Sequence, residues 1–156
     1  MPSRKIAATD AVADAQRADE ALAYVLLEEG RVVCERLSGR VASAGEIAAL
    51  RAIHRDVGLA GYLASDRMAP SLRRSLVALV HDRGMVDGMS DRAAFEHLLL
   101  LCLHAADVLD RAVAAHGGPD LRSAHGLARD AVDALTRLIG PQRARELRRE
   151  ATRLPV

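Results

Sequence analysis

Residues 97–104 read HLLLLCLH, six consecutive apolar side chains between two histidines. The chain around them alternates apolar and polar residues at helical spacing, so the run sits inside a helix and places leucine on all its sides. At about 100° per residue, Phe95, Leu98, Leu99, Cys102, Ala106, Leu109 and Val113 share one broad face of a helix over 91–115. The other side carries Glu96, His97, His104, Asp107, Asp110 and Arg111, yet Leu100, Leu101 and Leu103 lie there or on its edges. Leaving those three in water would forfeit about 1.5–3 kcal/mol each. A helix apolar around its middle is a buried one. It therefore runs through the centre of a bundle, or its second face meets another subunit.

The rest of the chain supplies the bundle. Ala, Leu, Arg and Glu dominate, β-branched residues come singly or in pairs, and aromatics make up 2%. A core of Leu, Val and Ala suits closely packed helices better than a sheet. The first helix begins near Thr9 or Asp10, either of which can cap it. The spacing of Leu22, Val25, Leu26, Val33 and Leu37 carries it through Gly30 to Ser38-Gly39. Ser43-Ala-Gly-Glu46 matches a capping box and opens a helix over 44–64, whose Gly58 and Gly61 mark a bend or a close approach to another backbone. Pro70 starts a helix to about His81 that Gly84 closes. Ser90 caps the long helix to about Ala115, Asp120 caps the next as far as Ile139, and Gly140-Pro141 separates a short last one. The expectation is an all-α fold, a single-domain bundle of five or six helices over 1–156 with 91–115 as its central helix. A chain of this length buries roughly 70% of its unfolded surface and needs no staple.

Composition also narrows the setting. The start, MPSRKIAATDAVADAQ, lacks the apolar stretch of a secretory signal, and no window reaches the apolar length of a membrane span. Cys34 and Cys102 sit in apolar surroundings and read as small buried hydrophobes of a reducing compartment. Lys5 is the only lysine and asparagine is absent, the mark of a GC-rich bacterial genome. A cytoplasmic bacterial protein is expected.

Chemistry is harder to find. His97 and His104 are two turns, roughly 10 Å, apart and cannot share one metal ion. Glu96, His104 and Asp107 fall short of a di-metal bundle pattern, because the histidine precedes the carboxylate and no second Glu-x-x-His occurs. No metal or cofactor is expected. Cys34 has Glu28 and Glu35 as neighbours, which raise a thiol pKa rather than lower it. GRVVCERLSGR lacks the Lys-Ser/Thr ending of a phosphate loop. Catalysis is disfavoured. His81, in LVALVHDRG, and His125, in SAHGLARDA, are the phosphoacceptor candidates of a phosphorelay-type bundle.

Charge is unevenly placed, although 22 basic and 21 acidic residues leave a net +1. Residues 6–29 hold Asp10, Asp14, Asp19, Glu20, Glu28 and Glu29 against Arg17; residues 137–153 hold Arg137, Arg143, Arg145, Arg148, Arg149 and Arg153 against Glu146 and Glu150. The two ends can pair with each other. The arginines form a basic patch open to nucleic acid, but the near-neutral total and missing aromatics disfavour that partner. The expected function is therefore protein–protein binding by a regulatory or adaptor bundle that self-associates as a homodimer. Its interface residues are Leu100, Leu101 and Leu103, flanked by His97 and His104. In the alternative, the apolar middle encloses a small molecule that His97, His104 or Asp107 contacts.

Overall fold

A computed structural model describes residues 2–82 and 86–153, apart from the side chains of residues 2–10, Val12, Asp82 and Arg153. Six helices follow one another: α1 (Pro2–Ser38), α2 (Ala44–Ala64), α3 (Pro70–Asp82), α4 (Asp91–His116), α5 (Pro119–Ile139) and α6 (Pro141–Arg153), with no strand among the described residues. The chain is an all-α bundle with α4 at its centre. α4 packs against α1 on one side and α5 on the other, α2 bridges α1 and α5, and α6 crosses α4 and α5. α3 packs substantially on α1 alone.

Local chemistry accounts for most of the boundaries. Ser43 Oγ accepts from the Glu46 N–H at 3.4 Å and Ser90 Oγ from the Ala93 N–H at 3.1 Å, so each serine satisfies one of the free donors at its helix start. α1 runs unbroken through Gly30, where an added Cβ would meet Val57 Cγ1 at 3.4 Å and Leu98 Cδ1 at 3.5 Å. The glycine is a meeting point of three helices. Gly61 plays a similar part: a Cβ there would lie 3.6 Å from that of Leu27. Gly61 thus sits against the side chains of α1, whereas Gly58 has only the Arg31 side chain near it, at 4.0 Å.

Two expected starts are corrected. α1 begins at Pro2, not at Thr9 or Asp10, because proline suits the first helical position and the following residues tolerate helix throughout. Asp120 does not cap α5. The cap position belongs to Gly118, which makes no side-chain cap bond, and Asp120 lies in the first turn behind Pro119. Gly84, the expected end of α3, lies outside the described residues.

The core is aliphatic and tight. Leu27, Leu37, Leu50, Ile53, Leu98, Leu99, Leu109 and Leu135 are its largest fully buried side chains. α5 contributes mostly small ones, with Ala124, Ala128 and Ala131 wholly enclosed. Small side chains let a helix sit close to two neighbours at once, here α2 and α4. No helix among the described residues is long and apolar enough to cross a membrane.

Candidate functional site

The apolar run of α4 is spent inside the bundle. Leu98 and Leu99 are fully buried, Leu101 is 7% exposed, and Leu100 and Leu103 are half-buried against the same core. Their burial is supplied by the helices of one chain and needs no second subunit. Small residues explain what the sequence pattern did not show: Ala94, Ala105, Val108 and Ala112 are also buried on α4, so a second face beside the leucines is closed too.

The flanking histidines part company. His97 Nε2 lies 3.7 Å from Glu29 Oε1 of α1, His104 is half-buried, and Asp107 stands in solvent. The pockets at the α1–α2–α3 cleft, at the His116–Asp120 loop and at the start of α4 are lined by other residues. His81, at the end of α3, lies 3.6 Å from Glu28 Oε1, and His125 lies 3.8 Å from Asp110 Oδ1 of α4. The sequence offered no means of foreseeing that His54 and Glu35, and His116 and Asp19, also face one another across helices, at 3.6 and 3.3 Å. α1 is thus the acidic partner of four histidines carried by α2, α3 and α4.

At the other end, Arg143 bonds Glu96 of α4 and Glu146 of its own helix and lies 3.7 Å from Glu150. Those bonds, Glu96 first, hold its guanidinium above the ordinary arginine range. The partners of the Arg143 guanidinium are therefore on α4 and α6, while Asp19, Glu28, Glu29 and Glu35 of α1 face histidines and Arg31. Arg145, Arg148 and Arg149 are exposed on α6, and the side chain of Arg153 lies outside the described ones.

Apolar surface left open lies elsewhere. Among the described residues, the exposed large hydrophobics are Leu22 of α1, Leu59 and Tyr62 of α2, and Leu72 and Leu79 of α3, ranging from 39% for Leu22 to 60% for Tyr62. None belongs to α4, α5 or α6. A cleft of about 180 Å³ lies between these three helices, lined among others by Tyr24, Glu28, Arg31, Tyr62, Ser65 and Arg73. The chain has two tyrosines and both are here. Burial, and then Glu28, push the Tyr24 phenol above its usual range. Glu28 accepts from Arg31 Nε and Nη2 at 3.0 and 2.5 Å, a two-point ion pair. Arg73 Nη2 donates to the Ser65 carbonyl at 2.5 Å, while its Nε is enclosed with no partner.

Neither thiol is poised for nucleophilic attack. Burial, with a smaller push from Glu35, raises Cys34 to about 12, and burial raises Cys102 further still. The acidic neighbour recognised in the sequence acts in the expected direction but is the lesser cause. Compared with known protein families, characterised proteins and solved structures, the chain matches none.

Proposed function

We propose that this chain acts by binding protein, as a regulatory or adaptor bundle of a bacterial cytoplasm that pairs with a second copy of itself, and that the surface it uses is formed by α2 and α3. The observation that carries the reading is that Leu59, Tyr62, Leu72 and Leu79 are all well exposed on two helices while α4, α5 and α6 leave no large hydrophobic open among the described residues. Single exposed leucines are ordinary, but open apolar side chains concentrated on particular helices favour an association surface there. A two-fold dimer is the simplest use of such a patch, because the same surface serves both partners. The half-buried Leu100 and Leu103 remain available only as a minor supplement.

Light scattering on the purified chain tests this. The expected result is a dimer that becomes a monomer in the Leu72→Ser/Leu79→Ser variant, with the helical circular dichroism of the two unchanged. A wild-type chain that stays monomeric at every accessible concentration would remove self-association.

A further inference from the structure

α1 turns three glutamates inward: Glu20, Glu28 and Glu29 are 8%, 8% and 9% exposed. A carboxylate is rarely buried without a partner that returns its lost hydration. Glu28 has the Arg31 guanidinium, and Glu29 lies 3.7 Å from His97 Nε2, near it but outside hydrogen-bond reach. Glu20 has no cation among the described residues. Its partner is the neutral amide of Gln16, which donates at 3.1 Å from the same helix.

What Glu20 has instead is space. It lines a pocket of about 200 Å³ bounded by α1, by the end of α2 at Leu63 and the turn after it at Asp66, and by the His116–Asp120 segment. Gly117 and Gly118 take φ values of 69° and 108°, conformations that side-chain-bearing residues rarely adopt, so the loop turns past the pocket as bare backbone. The walls carry the carboxylates of Glu20, Asp66 and Asp120 against one guanidinium, that of Arg67. Asp120 in the first turn of α5 offsets the positive end of that helix. His116 lines the pocket as well, its side chain 6% exposed. Its Nε2 lies 3.3 Å from Asp19 Oδ2, an atom that only accepts, so Nε2 donates, and its Nδ1 is enclosed and without a partner. The pocket is rich in acceptors and short of donors.

We infer that this pocket binds a small organic cation, a primary ammonium whose N–H groups give Glu20 the charge partner that Arg31 gives Glu28. A metal ion is the poorer match, since no three His, Cys, Asp or Glu side chains among the described residues come together to hold one. The volume suits a molecule of a few heavy atoms rather than a nucleotide. None of the exposed leucines of α2 and α3 lines this pocket, so ligand binding and self-association succeed or fail separately.

Propylammonium chloride titrated into the full chain, followed by amide NMR, tests the inference against sodium propionate and sodium chloride at equal ionic strength. The expected result is saturable shifts at Glu20, Leu63, Gly117 and Gly118 with propylammonium alone. Glu20→Gln keeps the shape and the contact with Gln16 but removes the charge, and should weaken binding by about tenfold or more. Leu63→Phe, which fills the pocket from α2, should abolish it and serves as the deciding variant if Glu20→Gln does not fold. Shifts that do not saturate or lie elsewhere, equal binding of propionate, or unchanged affinity in a folded variant would each overturn the site.

Discussion

Two apolar runs that end in histidine meet opposite fates in this protein. HLLLLCLH in α4 is enclosed, with Leu98 and Leu99 fully buried. SLVALVH in α3 leaves Leu79 48% exposed, and Leu72 just before it 44% exposed, while Val80 is buried. The runs are chemically alike, and their neighbours differ. α4 lies between α1 and α5 with α6 across it, whereas α3 packs substantially on α1 alone. A helix with one neighbour can hide one stripe, and any further apolar residue remains in water or waits for another molecule. Between these two runs, burial follows the number of packing partners rather than how apolar the run is.

The comparison breaks first at Leu98. Leu98→Ala should cost about 2–5 kcal/mol of stability, the range for a leucine truncated in an enclosed core, read from urea unfolding midpoints. A loss as small as that of an exposed residue would show that α4 is not the packed centre. Next is Gly30, whose absent side chain lets α1 approach Val57 and Leu98 within ordinary contact distance. Gly30→Leu should cost roughly 1–3 kcal/mol by overpacking that junction, whereas the same change at Gly88, with open space around it, should not.

The thiols give a third reading of the core. Cys34 keeps its proton in the folded chain up to about 12 but loses it near 9.0 when unfolded. Stability is therefore fully present below pH 9.0 and falls as pH rises toward 12, by about 1.4 kcal/mol per pH unit. Cys102 adds to the loss in the same direction. Unfolding series across that window should show a slope that lessens in Cys34→Ala, and no slope would mean the thiols are not enclosed. The smallest effect is on α3. Leu79→Ala should alter monomer stability by no more than about 0.5 kcal/mol, while hydrogen exchange should find α3 amides opening at lower cost than those of α4.

Much of the fold was legible because helical signals are local. Ser43 and Ser90 cap where their spacing to following residues implied, α2 runs over the expected 44–64, and α4 over one residue more than 91–115. Asp120 misled because Gly118-Pro119 supplied an earlier start that suits a helix equally well. The candidate site was less legible. Glu20, Glu28 and Glu29 were visible as an acidic block, and Arg31 one turn after Glu28 was a local partner on offer. His97, which faces Glu29, and the walls of the pocket beside Glu20 lie on other helices or in the loops that follow α2 and α4, and carboxylate spacing along α1 is silent about them.

By itself, the order of residues determined an all-helical chain, where most of its helices begin and end, and that the leucines of α4 must be hidden, because helix periodicity and capping act within a few residues. Whether they would be hidden by the same chain or by another, and that α3 rather than α4 would be left with open leucines, depended on how many helices surround each one. That is a property of the packed assembly of helices, since a side chain's solvent is set by neighbours far away in sequence.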